Sequence, residues 1–387
     1  MEHIDITYSQ EEVSSSVIVG HEDSYPVQKH LLRLLSSFKH LYAFIDRNLM
    51  LKSRAVFDLS LELQDMGCPM RAVDASESLK TIDNVLGMCS WLMEKGADRD
   101  AVLMAIGGGI TTDMVGFAAS IYKRGVRYVS VPTTLLSQVD AAIGGKTGVN
   151  FEHYKNMLGV INQPEFTFIW PGFLQTLSRR DFLSGAAELL KTFIIEDESG
   201  EWYDRSVALL KEYNSDPDSL ERNSKKFSEV IEAAAKVKAR VVSRDPYEKG
   251  ERRKLNLGHT FAHAIEALAQ RGAASEDMPV LDIRQKRKTV TEVTHGEAVA
   301  IGIVLAARLA EKADINVEKG LAERIERDFS ACGLPVVPPF DLEEMTDAMS
   351  KDKKAEGGKV HFILPVAIGE VVVYDMTPSK VCALLKK

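Results

Sequence analysis

Through the first third of the chain, short apolar runs alternate with amphipathic stretches, the pattern of strand and helix units in a parallel sheet. LYAFID (41–46), MRAVD (70–74), AVLMAI (101–106) and RYVSVP (127–132) are the expected strands. Between the second and third, Leu79, Ile82, Val85, Leu86 and Met88 recur at helical spacing, which predicts a crossover helix. After about residue 180 the period changes, and 182–195, 201–213, 220–242, 257–268 and 298–313 all favour helix. Near the end, GKVHFILPVAIGEVVVYDM holds two β-rich runs around Gly369, which predict a hairpin, and a final helix is expected from Pro378 onward. This change of period divides the chain into an α/β N-terminal domain, 1–179, and a mainly α-helical C-terminal domain, 180–387, with a site expected in the interdomain cleft.

Composition narrows the class without altering that division. At 387 residues and about 150 residues per domain, the length agrees with two domains. Hydrophobic residues at 45% and charged residues at 27% exclude a disordered chain. Lys plus Arg number 48 against 56 Asp plus Glu, a formal charge of -8, which argues against a nucleic-acid partner and makes any basic site local. Cys68, Cys89, Cys332 and Cys382 form no CxxC pair, so neither a disulfide framework nor a thiolate zinc site is expected, and a cytoplasmic setting fits. An acidic N-terminal stretch and the lack of any apolar run of about 18 residues give no expectation of export or of a membrane partner.

Candidate chemistry begins at Gly107, Gly108 and Gly109, between an expected buried strand and a helix. Glycines there allow a tight turn and close backbone approach to a pyrophosphate at the helix N-terminus, so the first domain is read as dinucleotide-binding. Asp46 and Asn48 follow the first strand, where a carboxylate can reach a ribose hydroxyl. The stretch VPTTLLSQVDAAIGGKTGVN supplies Thr133, Thr134, Asp140 and Lys146 but is not a Walker A loop, because Asp140 stands where that motif needs glycine. Lys155 and Asn156 add donors for an anion. Glu188 and Lys191 share a helix face, a spacing that taken alone reads as a surface ion pair. His259 and His263 at i,i+4, with His295 at an expected helix start, complete with Glu188 an inventory for zinc. Spacing alone leaves both His259 and His263 as ligands of one ion, as in HExxH helices. Lys238, Arg252, Asn256, Lys353 and Lys354 lie in basic runs that are individually weak signals.

Taken together, GGG(x3)D(x2)GF, PTTLL(x)QVD(x3)GGKTGVN, KN(x2)G, AE(x2)K, LN(x)GHT(x2)HAIE, HGEAVA and DKK resemble, in order, the sugar phosphate cyclase family in its 3-dehydroquinate synthase branch, over about 40–365. The resemblance implies Glu188, His259 and His295 as ligands of Zn2+, with Co2+ as an alternative, and puts His263 near the substrate phosphate. It implies NAD contacts at Asp46, Asn48, Glu77, Lys80, Gly107, Gly108, Asp113, Thr133, Thr134 and Thr176, with Gly109 and Lys155 assigned beside them. Lys146, Asn156, Lys191, Lys238, Arg252, Asn256 and Lys354 match substrate contacts, and Asp140 is grouped with them. Within that set Lys146, Lys191, His263 and Asn256 are the expected catalytic residues. Arg124 matches an arginine that reaches a neighbouring subunit, which implies a homodimer.

The implied reaction takes a small anionic sugar-acid phosphate, 3-deoxy-D-arabino-heptulosonate 7-phosphate, to 3-dehydroquinate and phosphate in the shikimate route. It runs through transient oxidation by NAD, phosphate elimination, reduction and intramolecular aldol closure. The rivals are a cyclase making an inosose or a valiolone, a metal-dependent NAD alcohol dehydrogenase, and a non-catalytic binding protein. Two features depart from the family pattern: Thr112 replaces a glycine before Asp113, and 24 residues, RGAASEDMPVLDIRQKRKTVTEVT (271–294), form an apparent insertion ahead of His295. The basic tract within it is expected to be an exposed flap.

Overall fold

A computed structural model describes residues 14–21, 27–152, 154–197, 199–274, 293–350 and 359–386. Lys353, Lys354 and the expected flap residues 275–292 lie outside these. Six strands, β1 (Ser16–Val19), β2 (Leu41–Asp46), β3 (Met70–Val73), β4 (Val102–Gly107), β5 (Arg127–Pro132) and β8 (Phe166–Ile169), form one sheet in the order β1-β8-β5-β4-β2-β3. Every pairing in it is parallel. The four expected strands occupy its β5-β4-β2-β3 part, and central β4 is buried at every residue, as a strand covered on both faces requires.

Alternation along these strands sorts two cores. Ala43, Ile45, Met104, Ile106, Val129 and Val131 meet Val27, Leu31, Val56 and Leu59 on one face. Tyr42, Phe44, Leu103, Ala105 and Tyr128 meet Val85, Met88, Met114 and Val115 on the other. The crossover helix spans Ile82–Glu94, capped by the Thr81 hydroxyl; Leu79 belongs to a preceding short turn, and Leu86 is exposed. The antiparallel hairpin of β6 (Lys146–Phe151) and β7 (Tyr154–Ile161) was not among the expected strands.

From Arg179 onward the described chain is mainly helical: Arg179–Ile195, Glu201–Ser215, Ser224–Arg244, His259–Ala274 and His295–Lys312 are its longest helices. The expected helix 220–242 is interrupted at Asn223, which separates Ser219–Arg222 from Ser224–Arg244. β9 (Val360–Ala367) and β10 (Glu370–Met376) make the expected hairpin, turning at Gly369 with φ +88°, and Pro378–Leu385 is the last helix. The largest core joins Phe182, Leu190, Phe193, Phe261 and Val304 of these helices to Leu135, Val139 and Ile143 of the segment after β5. That contact brings the short helical turn Ser137–Ala141, which carries Asp140, against the helix carrying Glu188. No helix among the described residues is long and apolar enough to cross a membrane.

Candidate active site

Asp46, Gly107 and Thr133 stand at the carboxyl ends of β2, β4 and β5, which are neighbours in the sheet, so they share the crevice where open α/β sheets bind ligands. Gly108 precedes the helix Gly109–Ile121 and offers no capping side chain, leaving the first amides of that helix available. A Cβ on Gly107 would sit 2.5 Å from the Thr111 hydroxyl, and one on Gly108 2.9 Å from Thr134, so the turn is built for backbone alone. The Thr133 hydroxyl is fully buried with no hydrogen-bond partner. These features fit a dinucleotide. Thr112 is accommodated inside the helix, its hydroxyl donating to the Gly109 carbonyl at 3.0 Å.

The other expected cofactor residues are fixed by hydrogen bonds, some to one another and some to neighbouring residues. Lys80 Nζ donates to Asp113 Oδ2 and to Asn156 Oδ1, each at 2.5 Å. Burial pushes the Asp113 carboxyl up to about 6 against the pull of Lys80. Asp46 accepts from the Asn48 amide at 2.9 Å, and burial raises its carboxyl too. Glu77 accepts from Asn150 at 2.8 Å. Thr134 pairs with Ser137 at 2.8 Å, and the Thr176 hydroxyl donates to the Phe173 carbonyl at 2.7 Å.

Three helices converge on one carboxylate. Glu188, completely buried, comes from Arg179–Ile195, His259 opens its helix after Gly258 at φ +78°, and His295 opens another directly after its N-cap, Thr294. Thr294 and Glu297 form a capping box, and Arg180 grips Glu297 with two nitrogens at 3.0 and 2.9 Å. A ligand atom from each of Glu188, His259 and His295 lies within 4.8 Å of the other two. Glu188 Oε1 is 3.4 Å from His295 Nε2 and 3.8 Å from His259 Nε2. Two ligands about 2.0–2.1 Å from one tetrahedral ion stand about 3.3 Å apart, so the site is close to zinc dimensions.

The far ring nitrogens support the same reading. His259 Nδ1 is 3.1 Å from the Leu257 carbonyl and His295 Nδ1 is 3.2 Å from Glu266 Oε1. Both oxygens can only accept, so Nδ1 of each ring carries a proton and Nε2 is the nitrogen that faces Glu188, available to a metal as a lone pair on neutral His259 and, once it gives up its proton, on His295. Neither Glu188 oxygen accepts a well-formed hydrogen bond; the Lys191 ammonium is its ion-pair partner. An ionised, buried carboxylate beside two imidazole Nε2 atoms fits a divalent cation that displaces the His295 proton. Burial and then Lys191 push His259 down to about 3. Burial opposes the charge on His295, yet Glu188 and Glu266 hold it up at about 10. The His263 ring lies outside the trio, 5.7 Å from that of His259.

Beside the trio, Lys191, Lys238 and Arg252 are all buried. Asp140 Oδ1 is 2.5 Å from Lys238 Nζ and 3.8 Å from Lys191 Nζ, and the two ammoniums hold its carboxyl well below the usual range despite burial. Arg252 donates to the carbonyls of Pro246 and Gly144 at 2.6 and 2.9 Å, leaving its Nε unpartnered. Lys146 pairs with Glu248, which also accepts from Asn256 at 2.9 Å. Glu248 and Glu266 were not among the expected site residues. Lys155, expected with the cofactor, pairs with Glu266 at 3.0 Å. Arg124 is exposed in a turn where Lys123, Arg124 and Gly125 all have positive φ.

The fold and this site together define a class. A 2-epi-5-epi-valiolone synthase from Streptomyces hygroscopicus, solved with NAD+ and Zn2+ bound, matches at a TM-score of 0.79 with 29% identity over 98% of each chain. A 2-deoxy-scyllo-inosose synthase (TM-score 0.75, 21% identity, 96% of each chain) shares the fold. An iron-containing alcohol dehydrogenase from Thermotoga maritima does so more distantly (TM-score 0.57, 13% identity, covering 96% of this chain and 97% of that one). The class is thus the fold common to sugar cyclases and iron-type dehydrogenases. Within it, the 3-dehydroquinate synthase N-terminal family model matches residues 70–184 and the C-terminal model 185–280 and 283–355. A 3-dehydroquinate synthase from Shewanella loihica is 41% identical over 77% of this chain and 76% of its own, and one from Acidithiobacillus ferrooxidans is 40% identical over 79% and 76%. This chain belongs to the 3-dehydroquinate synthase family.

Proposed function

We propose that the chain converts 3-deoxy-D-arabino-heptulosonate 7-phosphate to 3-dehydroquinate and phosphate, as an NAD- and divalent-metal-dependent lyase. The observation that carries this reading is the adjacency of a Glu-His-His site to a buried set of cations, in a chain of this family. Glu188, His259 and His295 would hold Zn2+ or Co2+, and the Gly107–Gly109 turn with Asp46, Asp113 and Thr133 would hold NAD. When bound, the ion supplies Lewis acidity toward a vicinal diol and NAD supplies reversible hydride acceptance.

The chain's own groups do the rest. Lys191 keeps Glu188 ionised, and Asp140 holds Lys238 in place. Lys146, Lys238, Arg252 and Asn256 bind the carboxylate and phosphate of the substrate through charge-assisted hydrogen bonds. His263, one turn beyond His259, serves the phosphate or a proton transfer. The burial of Lys191, Lys238 and Arg252 keeps water away from the reacting groups.

We also propose two domains, 1–179 and 180–387, supported by the change from sheet to helices at Arg179. A homodimer in the cytoplasm is proposed as well: exposed Arg124 in its left-handed turn supports a contact in trans, and four free cysteines suit a reducing compartment. A valiolone- or inosose-forming activity is the second reading, raised by the 29% identical structure. The test is phosphate release from the heptulosonate phosphate with sedoheptulose 7-phosphate and glucose 6-phosphate as competitors. Release should require NAD without net NADH; NADH growing in step with product would refute the cyclase reading.

A further inference from the structure

Glu266 sits two turns after His259 on the same helix and is 6% exposed. A single oxygen, Oε1, lies 3.2 Å from His295 Nδ1 and 3.0 Å from Lys155 Nζ. His295 belongs to another helix and Lys155 to β7, so this carboxylate joins three elements. Lys155 is followed by Asn156, whose side chain accepts from Lys80, and Lys80 in turn pairs with Asp113 of the helix after the glycine turn. Two sets of polar contacts, joined by the backbone between Lys155 and Asn156, therefore connect a candidate metal ligand, through the β6–β7 hairpin, to the dinucleotide crevice. Most of β7 is exposed, and it is held to the fold mainly through its pairing with β6.

We propose, resting on the metal reading above, that Glu266 is a positioning residue with two tasks: it aims the His295 Nε2 lone pair at the ion, and through Lys155 it ties metal occupancy to the seating of the hairpin that carries Lys146 and Asn156. A carboxylate can only accept at Oε1, so it fixes which ring nitrogen of His295 keeps the proton. Its charge is also what holds the Lys155 ammonium.

The experiment uses metal-stripped full chain reloaded with Zn2+ against a chromophoric chelator, with Co2+ for spectra and amide hydrogen exchange over 154–161. Glu266→Gln should weaken zinc about 10–100-fold and shift the visible cobalt bands at saturating metal, a change that lost packing alone would not produce. In the native chain metal should slow exchange over 154–161; in Lys155→Met that slowing should disappear, with zinc affinity falling only by the same coupling factor. Native zinc affinity and an unchanged cobalt spectrum in Glu266→Gln would overturn the first task, and metal-dependent slowing that survives in Lys155→Met would overturn the second. Should Glu266→Gln fail to fold, Lys155→Met still decides the coupling, since its side chain is 37% exposed. His259→Ala runs alongside: if it binds zinc like the native chain, the metal reading falls and this inference with it. If it is empty while Glu266→Gln binds tightly, only the role of Glu266 is lost.

Discussion

Gly296 offers a test in which two physical expectations have opposite signs. It is the second residue of the helix that opens with His295, and it lies against Ser184, one turn before Glu188. A Cβ there would stand 2.0 Å from the Ser184 carbonyl oxygen and 2.4 Å from its Cα. Restoring ordinary contact at 3.4 Å requires the two helices to part by about 1.4 Å, and both obstructing atoms are backbone. Passed to the adjacent His295, that shift takes its 3.4 Å separation from Glu188 to about 4.8 Å. Two ligands of one zinc cannot be more than about 4.1 Å apart even if opposed across it. Gly296→Ala should therefore lose a ligand, with a fall in zinc affinity greater than the 10–100-fold typical of a lost supporting hydrogen bond. Overpacking of about 1–3 kcal/mol should exceed the gain of about 0.5–1 kcal/mol that alanine brings to a helix, leaving a net destabilisation. Gly87→Ala is the control, because its Cβ meets only Arg71 Nη2, at 3.5 Å, so the helix gain should appear with zinc affinity intact. Urea unfolding and chelator competition read both quantities. A Gly296→Ala chain that is more stable than the native one and binds zinc equally well would refute the reasoning.

Other outcomes follow from the same geometry. His295, held up at about 10, stays protonated in the metal-free chain at pH 7.5 while His259, at about 3, is neutral, so zinc uptake should release about one proton. Apparent affinity should then rise about tenfold per pH unit and level off as pH passes about 10; calorimetry in buffers of different ionisation enthalpy counts the proton, and a count near zero contradicts the assignment. His259→Ala should lose zinc and activity, whereas His263→Ala should keep zinc and lose most turnover; metal analysis showing equal loss in both would reassign the ligands. Mixing inactive Arg124→Ala and Lys146→Ala chains should restore some activity if the arginine acts across a dimer, and no recovery after verified subunit exchange counts against it.

The sequence pattern exposed much of this architecture, unevenly. Strands 41–46, 101–106 and 127–132 are readable because central parallel strands need nearly continuous apolar side chains. β1 escapes notice as a four-residue edge strand, and β6–β7 because KTGVN and YKNMLGVI mix charge, glycine and exposed apolar residues. Glu188, His259 and His295 stand out by type, yet spacing could not choose between His259 and His263; ring placement comes from how three helices cross. Glu248 and Glu266 were illegible for a related reason. Their partners Lys146 and Lys155 lie 102 and 111 positions earlier, and an acid in YEKGERRK looks like solvated surface until the fold folds it inward.

The partnership of Asp140 and Glu248 with Lys238 and Lys146 has a consequence for turnover. A buried ammonium stripped of its counterion carries a desolvation penalty of several kcal/mol, which would oppose departure of any anion it had bound. Here internal carboxylates already stand next to these cations, at 2.5 Å for Lys238. If Lys146 and Lys238 bind the substrate's anionic groups as proposed, Glu248 and Asp140 are in place to receive them when phosphate leaves, and the buried Lys238 is not left bare. On that reading the internal carboxylates would temper affinity for the incoming substrate and ease product release alike.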